Sequence, residues 1–124
     1  MVKNDKWKIV IIGDSHARNC AAGLQHQLGR KCTVTGYVKP GAGMKLIVQS
    51  GKEEIEKLHG EDVVVVWGGS NDISKQNSQE ALRQLSKFAK KCQDVNMIVM
   101  PAPQRHDLMP SSCVNSEVFH FIVY

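Results

Sequence analysis

The sequence predicts a three-layer α/β/α domain built on a parallel β-sheet. Short apolar segments alternate with segments whose apolar residues recur at helical spacing, which is typical of strands joined by right-handed helical crossovers. The most apolar segment, Asp62–Trp67, is almost continuously hydrophobic, which indicates a central strand buried on both faces. The chain has 124 residues, 42% of them hydrophobic and 23% charged, a size and composition typical of a single globular domain.

Strands are predicted where short apolar runs end in turn-forming residues. These runs are Lys8–Ile12, Thr33–Val38, Asp62–Trp67 and Asn96–Met100. Residues 1–7 precede the first strand and form a polar tail, so we expect the domain over residues 8–124.

Helices are predicted from apolar residues at intervals of three and four. The first extends from Ala17 to about Leu28 and ends at the glycine that follows. Residues Met44–Leu58 are predicted to form one or two short helices with a break at Gly51. The last spans Ser78–Cys92, with its first serine as the capping residue.

For so few strands the commonest arrangement is the flavodoxin-like order 2-1-3-4, which makes strands 1 and 3 neighbours. Such sheets bind ligands in the crevice at the carboxyl ends of their strands. Three loops rich in glycine and polar residues are predicted to meet there: Gly13–His16, Pro40–Gly43 and Gly68–Asp72.

These loops contain the groups that acyl transfer requires. Ser15 would present its hydroxyl at a strand-to-helix turn, with its own N–H at the positive end of the helix. Gly41 has no side chain, so its N–H can approach a substrate oxygen directly. The Asn71 amide adds a third donor, and together these groups would form an oxyanion hole.

The same three motifs resemble the sequence blocks of the SGNH (GDSL-type) hydrolase family. Gly13–Ser15 matches its G-D-S block, Gly41 its lone glycine and Gly69–Asp72 its G-x-N-D block. The resemblance implies a serine esterase that forms an acyl-enzyme on Ser15, with Ser15 N–H, Gly41 N–H and Asn71 as oxyanion donors. It implies a small ester or acyl substrate and neither cofactor nor metal. Residues 101–108, PAPQRHDL, also resemble SGNH domains carried by insect retroelements.

The fourth block of that family, Asp-x-x-His, does not occur after Asn71. In the family it follows a further strand and precedes the last helix, so we expect a domain that is incomplete at its C-terminus and impaired in activity. His106 is a weak candidate for the base, because it follows the fourth strand and so comes one strand earlier than the base of the family. Glu117 and His120 imitate the missing spacing, with glutamate in place of aspartate. Gly43 is an alternative to the first glycine of its loop as the oxyanion donor.

Two residues beside the nucleophile receive no catalytic role. Asp14 is expected to brace the turn, since aspartate often caps a helix. His16 is expected to point away from Ser15, because adjacent helical residues do not face one another.

Composition limits the other classes of function. The net charge of +4 comes from dispersed lysines, which indicates a solvated surface and supports nucleic-acid binding only weakly. The four cysteines include no C-x-x-C pair, so we expect free thiols in or near the core and no zinc site. The polar start and the short apolar runs predict an intracellular protein without a signal peptide or a membrane partner.

Two further functional hypotheses remain open. The chain could be a non-catalytic relic or binding module derived from a retroelement, or a nucleic-acid-associated domain, and a salt-dependent gel shift would identify the latter. We also expect self-association, because a sheet lacking its last strand would leave the fourth strand as an exposed edge.

Overall fold

The structure is a computed structural model that describes residues 7–100. Within them, four strands form one sheet: β1 (Trp7–Gly13), β2 (Cys32–Val38), β3 (Val63–Trp67) and β4 (Asn96–Met100). The α-helices are α1 (Cys20–Leu28), α2 (Met44–Gln49), α3 (Lys52–Glu56), α4 (Ser70–Ser74) and α5 (Ser78–Lys91). Short 3₁₀ turns lie at Ser15–Ala17 and Gly29–Lys31.

The sheet confirms the predicted fold class. All its strands are parallel, in the order β2-β1-β3-β4. The register aligns Gly13 with Val38 on one side and with Trp67 on the other, so three strands end side by side. The loops that follow them therefore start from one edge.

The core lies on one face of the sheet, beneath α2, α3 and α5. Alternate residues of β1 and β3 point into it, and α5 contributes residues spaced by three and four. Its members include Ile12, Met44, Ile47, Val64, Val66, Ile73, Leu85 and Phe88. Burying such side chains contributes about 1.5–3 kcal/mol each, so this face supplies much of the stability of the domain.

The second face is covered less completely than the sequence predicts. Helix α1 packs against β2, where a Cβ added to Gly36 would lie 2.8 Å from the Cβ of Ala21. In β3 only Val64 and Val66 are fully buried, while the three residues that alternate with them are half-buried. The predicted central position of β3, between β1 and β4, is confirmed, but its second face is only partly covered.

Three local expectations are also wrong. The first helix does not start at Ala17, because Asn19 adopts a left-handed conformation (φ 66°) that separates the 3₁₀ turn from α1. Residues 70–72 are not a simple loop but form the first turn of α4. Ser78 does not cap α5: Asn77 occupies the N-cap position without a side-chain hydrogen bond, and Ser78 is buried.

Other expectations agree with the structure. The break at Gly51 separates α2 from α3, with φ 67° at the glycine. Cys32 and Cys92 are buried and Cys20 is partly buried, all three as free thiols, and burial raises the pKa of Cys92. Among the helices of residues 7–100, none has the length and apolar character needed to cross a membrane.

Candidate active site at the carboxyl edge of the sheet

Backbone hydrogen bonds join the three loops at the points where they leave the strands. Asp14 N–H donates to the carbonyl of Trp67 at 3.1 Å, which ties the loop after β1 to the end of β3. Lys39 N–H donates to the carbonyl of Gly13 at 2.8 Å, which ties the start of the loop after β2 to the end of β1. The loops therefore leave the sheet from fixed positions.

Ser15 opens the 3₁₀ turn after β1 and is exposed. The two residues before it have structural reasons to be glycine and aspartate. A Cβ at Gly13 would lie 2.5 Å from the carbonyl oxygen of Trp67, so only glycine fits. Asp14 caps the turn by accepting a hydrogen bond from the N–H of His16 at 2.9 Å. Within residues 7–100 the N–H of Ser15 donates to no other atom.

The loop after β2 contains both candidate oxyanion glycines. Gly41 is exposed and left-handed (φ 74°), while Gly43 is the N-cap of α2. Between them Ala42 is buried and its N–H donates to the carbonyl of Lys39 at 3.1 Å. Neither glycine N–H donates a hydrogen bond inside the described part of the chain, so either could donate to a substrate oxyanion.

Asn71 links the loops. Its side-chain amide donates to the carbonyl of Ala42 at 3.1 Å and, over a longer distance of 3.4 Å, to the carboxylate of Asp14. The amide therefore contacts the residue before Ser15 and the residue after Gly41. A substrate oxyanion could most easily replace the longer of these bonds, the one to Asp14.

Asp72, the last residue of the G-x-N-D motif, holds the end of the loop that follows β2. Its buried carboxylate accepts the N–H of Met44 at 2.8 Å, and a Cβ added to Gly43 would lie 2.8 Å from its Oδ1. Desolvation by burial raises the pKa of Asp72 above its ordinary value of 3.8, although the bond from Met44 opposes the shift. Sequence reasoning assigned Asp72 no role, although its position next to Asn71 was a usable signal.

His16 lies beside the nucleophile but its ring contacts Asp14, with Nδ1 2.9 Å from the carboxylate Oδ1. The other predicted candidates for the base, His106, Glu117 and His120, lie outside residues 7–100. No cluster of three or more potential metal-ligating side chains occurs among the residues that the structure describes.

A pocket of about 220 Å³ adjoins Asn71. It is lined by Gly43, Lys45, Leu46, Asn71, Asp72, Lys75, Asn77 and Glu80. Hydrogen bonds from Arg83 and Gln84 lower the pKa of Glu80 to about 2. The pocket is large enough for a small substituent next to the candidate oxyanion donor.

No protein-family model matches the sequence, and no curated protein matches it. Solved structures do match. A member of the lipolytic protein G-D-S-L family from Veillonella parvula DSM 2008 superposes with a TM-score of 0.73 at 15% identity, covering 95% of this chain and 72% of that one. The lipase/acylhydrolase from Enterococcus faecalis gives a TM-score of 0.69 at 20% identity, covering 94% of this chain and 70% of that one. This chain has the α/β fold of these proteins.

Proposed function

We propose that the chain is a serine-hydrolase-type domain that acts on small esters through an acyl-enzyme on Ser15. The observation that carries the proposal is the Asn71 amide, which hydrogen-bonds to Asp14 and Ala42 at once. It connects the loops after three strands, and one of these loops carries the exposed Ser15. The names of the structural neighbours, which describe a lipolytic protein and a lipase/acylhydrolase, agree with this chemistry.

The reaction has two steps. Ser15 Oγ loses its proton and forms a bond to the ester carbonyl carbon, the carbonyl oxygen becomes an oxyanion, and the alcohol leaves when the ester C–O bond breaks. Water then adds to the acyl-enzyme and releases the carboxylic acid and the free serine. The N–H groups of Ser15 and Gly41, which have no acceptor among residues 7–100, and the Asn71 amide would bind the oxyanion.

The mechanism also needs a base to take the Ser15 proton, and no Asp-x-x-His follows Asn71 in the sequence. Serine hydrolases that lose a triad member keep a residual enhancement of about 10³–10⁴ over water from the oxyanion hole and binding. We therefore expect this chain to hydrolyse an activated aryl ester slowly.

A fluorophosphonate probe tests the nucleophile, because attack by a serine oxygen on phosphorus expels fluoride and leaves a stable adduct. We expect a labelled peptide that contains Ser15 and no labelling of Ser15→Ala. Ser50→Ala is a matched control, since the Ser50 hydroxyl is buried against the carbonyl of Ile47, and it should label like the wild type. Labelling that persists in Ser15→Ala would reject the proposal.

Hydrolysis of an aryl acetate tests the base. Turnover should be faint, lower still in Ser15→Ala and nearly unchanged in His106→Ala. If turnover reaches about 1–10 s⁻¹, an ordinary enzymatic rate, and His106→Ala abolishes it, then His106 is the base and the expected impairment is wrong.

A further inference from the structure

The Asp14 carboxylate is the most buried polar group at the site, with none of its surface exposed. A buried carboxylate is tolerated only when hydrogen bonds replace its lost water. Oδ1 accepts from the N–H and the ring Nδ1 of His16, each at 2.9 Å, and Oδ2 accepts from the Asn71 amide at 3.4 Å. One side chain therefore contacts both the turn that carries Ser15 and the candidate oxyanion donor.

The chemistry of a carboxylate fixes the direction of the Asn71 amide. A carboxylate only accepts hydrogen bonds, whereas an amide has a donating nitrogen and an accepting oxygen. Because Asp14 Oδ2 and the carbonyl of Ala42 are both acceptors, only the NH₂ end of Asn71 can face them. A flipped amide would place its oxygen against two oxygens.

We propose that Asp14 is a positioning residue, which keeps the donor end of Asn71 turned toward the Ser15 loop while it caps that loop. The proposal rests on the proposed function, because the direction of Asn71 affects the reaction only if Ser15 reacts. It assigns to Asp14 more than the bracing of its own turn.

Asp14→Asn separates the two roles. An asparagine keeps an oxygen that can accept the N–H of His16, so the cap survives. Its NH₂ group then faces the NH₂ group of Asn71, and two donors cannot bond to each other. The turn should remain while the amide of Asn71 flips or moves away.

The experiment measures the second-order rate constant for fluorophosphonate labelling of Ser15 in the full chain, together with the unfolding midpoint. A displaced catalytic group can cost about 10²-fold in rate, so we expect a loss of that order in Asp14→Asn. Asp62→Asn is the matched control, because Asp62 is also buried, accepts backbone N–H groups from Lys8 and His59, and lies at the opposite edge of the sheet. It should lose stability but keep its labelling rate within about twofold.

A double-mutant cycle distinguishes positioning from a structural effect. If Asp14 acts through Asn71, adding Asp14→Asn to Asn71→Ala should slow labelling no further, whereas independent effects would multiply. If Asp14→Asn does not fold, Asp14→Ser keeps a capping oxygen without the second acceptor and enters the same cycle. A wild-type rate in the single variant, or multiplied losses in the double variant, would overturn the inference. Failure of the proposed function would instead appear as labelling that does not depend on Ser15.

Discussion

Replacing Gly13 with alanine should destabilise the domain by an amount that the structure allows us to work out. The added Cβ would lie 2.5 Å from the Trp67 carbonyl oxygen and 2.8 Å from the Cβ of Ala17, whereas real Cβ contacts stay above 3.0 Å. The oxygen belongs to the backbone of the neighbouring strand, so β1 and β3 would have to separate. Overpacking of this kind costs about 1–3 kcal/mol, and weakening the bond from Asp14 N–H to Trp67 adds about 1 kcal/mol. We therefore expect Gly13→Ala to lose about 2–4 kcal/mol of unfolding free energy.

Urea unfolding followed by circular dichroism measures this loss. Gly23→Ala is the matched control, because Gly23 lies in α1 with no atom within 4 Å of its added Cβ. Alanine is a better helix former than glycine, so this variant should gain about 0.5–1 kcal/mol. Equal stability of Gly13→Ala and the wild type would show that the strands do not approach as described.

Three shorter predictions concern charge and association. Because the pKa of Asp72 is raised above 3.8 in the folded state, its contribution to stability is full below pH 3.8 and is lost as the pH rises through the raised value. Chemical unfolding across that range should therefore show wild-type stability falling relative to Asp72→Asn, and parallel curves would contradict the buried carboxyl. An NMR titration should give a pKa of about 2 for Glu80, and Arg83→Ala should raise that pKa toward 4.5. An unchanged pKa would show that the hydrogen bond between Glu80 and Arg83 does not form in solution. Ile98 is 50% exposed on β4, so Ile98→Lys should shift the oligomers seen in sedimentation toward monomer. Leu46, 58% exposed on α2, is the control, and Leu46→Lys should leave the oligomers unchanged. A wild-type chain that is already monomeric would contradict self-association.

Much of the fold could be predicted because the signals are local and repeated. A run such as NMIVM bounded by turn residues specifies a strand, and Asn96–Met100 is observed with those bounds. The strand order followed from the small number of parallel arrangements that right-handed crossovers allow. Helix starts were less predictable, because the left-handed turn at Asn19 depends on how the chain leaves the sheet rather than on a propensity.

The sequence predicts candidate site residues but not the contacts between them. The motifs Gly13–Ser15 and Gly69–Asp72 predicted which loops meet at the carboxyl ends of the strands, because such residues follow strands that lie side by side in a parallel sheet. The sequence did not indicate that the Asn71 amide already has protein acceptors, nor that Asp72 bonds to Met44, 28 residues earlier.

The sequence by itself therefore determined the parallel α/β layering and the candidate nucleophile, since apolar periodicity and short motifs are properties of neighbouring residues. Only the tertiary structure decided which groups Asp14 contacts. The contact with His16, two residues away, is local, but the contact with Asn71, 57 residues away, exists only after the strands have paired. It also decided why Gly13 is glycine, because the atom that excludes a side chain belongs to another strand.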